Sequence, residues 1–282
     1  MPYSAISRRS RKTRRGSPEI SAEEFRWLRT TVKAASGIHL TADRAGVATA
    51  RIARCLRATG SRTFGEYIAH VEQDATGGEL WTMVDALTVN QTQFFREPNH
   101  YPPYLGCLRE LLLHHETVNV WSAGCATGEE TFTLAMLAHV LIPGAAGRLR
   151  FLGTDISTSV LRSARAGLYD AARAHELPRI ARSLLEDVGD ITGRLRVARP
   201  VRDMVSFARH NLVGDWQMSG PMHVIFCRNV LLYFDRPTQR RVIAGFHDIL
   251  APGGYLFLGA TETASTGTRF QYVLPSVYRR PR

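Results

Sequence analysis

Three groups of residues in this chain have the types and spacing that binding or transfer chemistry would need. The first is a largely apolar run, Met222 to Cys227, that ends in Arg228 and Asn229 and passes at once into Val230-Leu-Leu-Tyr233-Phe234. Such a run reads as a central parallel strand, and the residues just past its end sit where open α/β sheets bind ligands. Arg228 and Asn229 therefore belong at the rim of a cofactor crevice. The second group is the loop Ser122-Ala-Gly-Cys-Ala-Thr-Gly-Glu-Glu130. Gly124 and Gly128 let the backbone turn sharply and approach a ligand closely. A glycine-rich loop also serves nicotinamide cofactors, but the spacing here is Gly-x-x-x-Gly rather than Gly-x-Gly-x-x-Gly. Glu129 and Glu130 weigh further against a dinucleotide. A pyrophosphate favours a helix N-terminus and is repelled by adjacent carboxylates. The cationic amino and sulfonium groups of S-adenosylmethionine (AdoMet) tolerate them. A plain helix-start role stays open for Glu130.

The third group lies further along. Asp155 closes a second strand, where a carboxylate accepts hydrogen bonds from ribose hydroxyls, although it would equally suit the N-cap of the next helix. Asn211 and Leu212 follow a third strand and are candidates to hold an adenine, the amide reading ring nitrogens and the leucine covering a face.

These residues need elements to carry them. A segment patterned as helices comes first. Ser21 with Glu24 matches a capping box, Phe25, Leu28 and Val32 recur on one face, and Gly37 closes that helix. Between Ala42 and Ala58, Ala45, Ala48, Ile52 and Leu56 mark an apolar side, and Arg44, Arg51, Arg54 and Arg57 fall on another arc. Two further helices follow, one capped by Thr63 and Glu66, the other after Gly77-Gly78. A helix near Tyr104 to His114 precedes the alternation of strands and helices that signals a doubly wound parallel sheet. Val118–Trp121, Phe151–Asp155, Val205–Ala208, His223–Cys227 and Tyr255–Leu258 are its expected strands, with a closing hairpin at Phe270–Val273 and Val277–Arg279. Residues 178–204 break the alternation and read as a small β insertion. The expected domains are a basic disordered tail over 1–17, a helical domain over 18–88 and an α/β domain over 89–282.

Composition sets the outer bounds. A length of 282 residues, 44% of them hydrophobic, suffices for one large domain and a smaller one. The net charge is +11, of which Arg8, Arg9, Arg11, Lys12, Arg14 and Arg15 supply six, leaving a moderately basic body suited to acidic partners. Ser7-Arg8-Arg9 has no apolar segment behind it, so it is not read as an export signal. Cys55, Cys107, Cys125 and Cys227 are dispersed, which argues against zinc and against a disulfide framework and fits a reducing cytoplasm.

The chain resembles the chemotaxis receptor methyltransferases, AdoMet-dependent protein-glutamate O-methyltransferases, over roughly residues 20 to 280. The motifs that carry the resemblance are Thr88-x-Asn90-x-Thr92-x-Phe-Phe-Arg96-Glu97, Trp121 through Glu130, Gly153-Thr-Asp155 with Ala164-Arg-x-Gly-x-Tyr169, and Cys227-Arg-Asn-Val-Leu-Leu-Tyr-Phe234. Leu250-x-Pro-Gly-Gly-Tyr-Leu-Phe-Leu-Gly259 and Glu262 extend it. The resemblance implies a Rossmann-like methyltransferase sheet with a small β insertion behind an all-helical domain. It places Asn90, Thr92, Arg96, Glu129, Asp155, Asn211, Leu212, Arg228 and Asn229 around AdoMet. It presents Arg51, Arg54 and Arg57 to the cytoplasmic helices of methyl-accepting receptors, an ordinary solvated face being the alternative for each. The insertion would be the place for a receptor's C-terminal tether peptide. His223 and Ala260-Thr261 depart from the family's usual Asp and His-Ser. A glutamate has a reference pKa of about 4.3, so the acceptor is already ionised and needs no general base. Arg96 is the candidate to orient it, or else to pair with the AdoMet carboxylate. Tyr233 is the candidate hydroxyl donor, or else a packing residue. An acceptor such as nucleic acid is disfavoured because the fourth sheet strand lacks an Asn-Pro-Pro-Tyr type of ending. A module that binds AdoMet without turnover is the remaining alternative.

Overall fold

The computed structural model describes residues 20–174, 177–189, 193–218, 220–264 and 269–282. The tail expected over residues 1–17 lies outside the described residues. Helix α1 (Ala22–Ser36) opens with a complete capping box. The Glu24 N–H donates to Ser21 Oγ at 3.2 Å and the Ser21 N–H to the Glu24 carboxylate at 2.7 Å, so two otherwise orphaned donors are satisfied. Gly37, at φ 76°, ends it in the left-handed conformation. Helices α2 (Ala45–Thr59), α3 (Phe64–Gln73) and α4 (Gly78–Leu87) complete a helical unit. Its core joins Leu28 and Val32 to Ile52, Leu56, Phe64, Tyr67 and Met83. Helix α5 (Tyr101–His114) starts at Tyr101 rather than near Tyr104. Pro102 and Pro103 occupy its first turn, where no backbone donor is required.

Strand β1 (Val118–Ala123), helix α6 (Glu129–Leu141), strand β2 (Leu149–Asp155) and helix α7 (Thr158–Ala166) begin the alternating region. An insertion follows, with strands β3 (Leu168–Asp170), β4 (Leu185–Asp187) and β5 (Arg194–Val197) and short helices α8 (Ala171–Ala174), α9 (Arg179–Arg182) and α10 (Arg199–Arg202). Its strands form their own antiparallel sheet in the order β3-β5-β4. The insertion thus begins at Leu168, ahead of the expected residue 178, because a three-residue strand is too short to show an alternation. Tyr169, buried on β3, donates its hydroxyl to the Thr127 carbonyl at 2.7 Å and ties the insertion to the glycine loop.

Strands β6 (Val205–Arg209), β7 (Met222–Cys227) and β8 (Leu250–Leu258), helix α11 (Arg236–Ile249), and strands β9 (Gln271–Leu274) and β10 (Val277–Arg279) finish the chain. The main sheet has seven strands in the order β6-β2-β1-β7-β8-β10-β9. All neighbours from β6 to β8 are parallel, and β10 is antiparallel to both β8 and β9. One face packs on α5 and α6 through Tyr104, Phe132, Phe226 and Phe257, the last two stacked at 4.4 Å. The other packs on α11 through Trp121, Ile225, Phe246 and Leu256. Central strands covered on both faces must be apolar throughout, and β7 is buried along its whole length. No helix among the described residues is long and apolar enough to cross a membrane.

Candidate functional site

From β1 the sheet proceeds through β2 to β6 in one direction and through β7 to β8 in the other. Connections that leave adjacent strands in opposite directions open a crevice at the strands' carboxyl ends. A cavity of about 1000 Å³, counted out to its open mouth, lies there. Its wall includes Asn90, Thr92, Arg96, Asp155, Asn211, Leu212, Arg228, Asn229 and Tyr233, residues drawn from well-separated segments. The helical unit contributes Ser36 and Ile38, so the cavity is closed by both parts of the chain.

The glycine loop enters from β1. Gly124 has φ 82°, and a Cβ there would lie 2.4 Å from Val230 Cγ2, so only glycine lets the loop pass so close to the turn after β7. Asp155 at the end of β2 is buried. It accepts from the N–H groups of Ala126 and Ser157, both at 2.9 Å, which fixes its carboxylate against the loop. Burial raises its pKa, and the backbone donors pull it back down.

Glu130, not Glu129, belongs to the cavity wall. Glu129 is fully buried in the first turn of α6, where its carboxylate accepts from the Thr127 hydroxyl at 2.6 Å. Successive helix residues are about 100° apart, so only one of the pair can face the strand ends. Glu130 does so, accepting from Ser122 Oγ at 2.8 Å and standing 3.2 Å from Arg228 Nη1. Burial lifts its carboxyl above the ordinary range, opposed by Arg228 and Ser122.

Arg228 is only 5% exposed and lies between two carboxylates, with Glu97 3.4 Å from its Nη2. That nitrogen also donates to the Arg96 carbonyl at 2.5 Å. Burial alone would disfavour the guanidinium charge; Glu130, Tyr101 and Glu97 outweigh it and hold the group more firmly protonated. Asn229 stands in the left-handed region at φ 60°, with its N–H on Glu262 at 2.8 Å and its Nδ2 on Glu97 at 3.4 Å. Its buried Oδ1 has no protein partner among the described residues. Phe95 and Glu97 are also at positive φ, 56° and 53°, so the segment bearing Arg96 is strained on both sides. The Arg96 guanidinium reaches the Gln91 carbonyl at 3.1 Å, and Asn90 Nδ2 donates to Thr88 Oγ1 at 3.0 Å.

Asn211 and Arg51 carry structural roles beyond those expected. The Asn211 amide is already engaged: Nδ2 donates to the Ala35 carbonyl at 2.8 Å and Oδ1 accepts from the Val213 N–H at 3.2 Å. It ties α1 to the sheet end while lining the cavity, with a second N–H and a second lone pair left over, and Leu212 beside it supplies apolar wall. Arg51 donates to the carbonyls of Leu87 and Thr88 at 3.0 and 2.9 Å, closing the C-terminus of α4. Arg54 and Arg57 are exposed on α2. Tyr233 is half-buried on the wall, its carbonyl accepting from the His39 N–H at 2.8 Å, and burial raises its phenol pKa.

The pattern missed Glu97 and Glu130 as partners of one arginine, and Ser36 and Ile38 as wall. Glu97 stands inside a quoted motif and Glu130 beside the glycine loop, but pairing across the sheet leaves no periodic signal. Among the described residues no cluster of His, Cys, Asp and Glu is arranged to hold a metal ion.

The switch-point cavity, its glycine loop and the acidic end of β2 define a Rossmann-like domain that binds a nucleoside cofactor. The chain belongs to the CheR methyltransferase family: the family's SAM binding domain matches residues 90–278 and its all-alpha domain residues 23–88. It is therefore an AdoMet-dependent methyltransferase, with the α/β fold and preceding helical domain expected above. It is 35% identical to chemotaxis protein methyltransferase 2 of Pseudomonas aeruginosa, over 85% of this chain and 86% of that one. The chemotaxis protein methyltransferase of Klebsiella aerogenes is also 35% identical, over 90% and 88%. That of Escherichia coli is 34% identical, over 87% and 86%.

Proposed function

We propose that this chain methylates glutamate side chains on the cytoplasmic helices of chemotaxis receptors, forming carboxyl methyl esters in the cytoplasm. The observation that carries this reading is the presence of both Arg96 and Tyr233 on the cavity wall, in a chain whose relatives are named chemotaxis protein methyltransferases. An arginine on the wall suits an anionic acceptor.

The cavity residues fit AdoMet. Asp155 keeps lone pairs free for ribose hydroxyls after accepting its two backbone bonds. The unpaired Asn229 Oδ1 and the Glu130 carboxylate suit a cationic amino group, and Arg96 suits a carboxylate. Thr92 and Asn90 add polar wall near Arg96, and Leu212 offers an apolar face. Bound AdoMet supplies an electrophilic methyl carbon, which an ionised carboxylate can accept without a general base. The protein's contribution is placement: Arg96 orients the acceptor, Tyr233 donates a hydrogen bond to it, and the two-part wall excludes water. The raised phenol pKa keeps Tyr233 a donor at neutral pH. Arg228, balanced by Glu97 and Glu130, holds the strand end and the Arg96 carbonyl together. Exposed Arg54 and Arg57 extend the basic face for the receptor, and a receptor's C-terminal tether peptide would dock on the small β3-β5-β4 sheet.

Transfer of labelled methyl from AdoMet to receptor cytoplasmic fragments tests this. Label released by mild base is the expected result; base-stable label, or none, would reject glutamate as the acceptor.

A further inference from the structure

The carboxylate of Glu262 is buried beyond the end of β8 and accepts three backbone hydrogen bonds. Oε2 takes the N–H groups of Asn229 and Gly259, both at 2.8 Å, and Oε1 takes that of Leu232 at 3.2 Å. The arrangement is built for a carboxylate. A Cβ at position 259 would lie 2.7 Å from Glu262 Oε2 and 2.9 Å from the Asn229 nitrogen, so the glycine is what lets the acid sit there. The two oxygens serve different parts of the site. Oε2 holds the backbone of Asn229, a left-handed residue that lines the cavity. Oε1 holds Leu232, the residue before Tyr233, within the short helical turn Leu231–Tyr233.

We infer that Glu262 is a positioning residue with two separable tasks, one oxygen fixing Asn229 for the cofactor and the other fixing Tyr233 for the acceptor. The inference deepens the proposed function and rests on it for the acceptor half. The cofactor half rests on AdoMet binding alone.

Glu262→Gln separates the tasks. A glutamine can keep its single carbonyl on the paired Asn229 and Gly259 donors, which leaves its NH2 facing the Leu232 N–H, donor against donor. The expected result is an unchanged AdoMet dissociation constant by calorimetry with kcat for methyl transfer lowered about 10- to 100-fold, the scale of a small misplacement of a reacting group. Glu262→Ala, provided circular dichroism shows it folded, should weaken AdoMet about tenfold or more as well. A Tyr233→Phe background supplies the coupling test: there Glu262→Gln should cost little further kcat. Equal losses of affinity and kcat in Glu262→Gln, an unchanged affinity in Glu262→Ala, or losses that simply multiply in the double variant would overturn the inference. A wild-type protein that binds AdoMet but labels no receptor fragment would instead reject the glutamate acceptor, and the affinity comparison would still decide the cofactor half.

Discussion

The site's charged residues are mostly occupied with one another. Arg228 spans Glu97 and Glu130, and Asp155 is clamped by two backbone donors, so the groups free to meet ligands are few. Removing either partner of a buried arginine between two acids would strand a buried charge, which makes the group scaffolding more than a reagent. Asp155 differs because it lines the cavity and its two oxygens each accept one protein hydrogen bond. Asp155→Ala is expected to weaken AdoMet at least about tenfold, roughly 1.4 kcal/mol, measured by calorimetry. An unchanged affinity would mean the ribose is held elsewhere.

At the scale of elements, the helical unit is a wall of the cavity and not an appended module. Ala35 holds Asn211, the His39 N–H reaches the Tyr233 carbonyl, and the Arg209 guanidinium on β6 lies 4.1 Å above the Trp81 ring on α4. Lys33 and Asp235, at 2.5 Å, join α1 to the cap of α11. Arg51 belongs to the same set, since its two bonds close α4 where the chain crosses to the sheet. Arg51→Ala should therefore lower stability by about 1–2 kcal/mol, the worth of a charged hydrogen bond to buried carbonyls. Arg57→Ala, on the exposed arc, should stay within about 0.5 kcal/mol. Thermal unfolding of the pair checks this, and equal melting temperatures would return Arg51 to the solvated face.

Over the whole molecule, acid sensitivity follows from buried histidines. His223 accepts the Asn119 N–H at its Nδ1, at 3.0 Å, and its ring packs edge-on against His115 at 4.4 Å. Burial, helped by His115, lowers its pKa to about 4. The folded pKa lies below the unfolded value of about 6.5, so the unfolded chain binds the extra proton first. The stability this site contributes is complete above about pH 6.5 and is lost as pH falls toward 4. The loss is on the order of 3 kcal/mol. His223→Gln, whose carbonyl can accept the same N–H, should melt with a shallower dependence between pH 7 and pH 5. Parallel melting curves would show that the imidazole is not the sensor.

Local rules account for part of this architecture. The capping box at Ser21, the stop at Gly37 and the apolar β7 each follow from neighbours a few residues apart. The order of elements then implied the crevice, and the positions at its strand ends were readable as cavity wall. Only the tertiary structure decided how shared groups are spent. Whether Glu129 or Glu130 faces the strand ends depends on the phase of one helix turn. The Asn211 and Arg51 side chains were claimed by carbonyls of Ala35, Leu87 and Thr88, brought close only by packing. Strand β3 was hidden because its three residues gain their partner from β5, far along the chain. A side chain's type is local information, but its hydrogen-bond partner is a property of the fold.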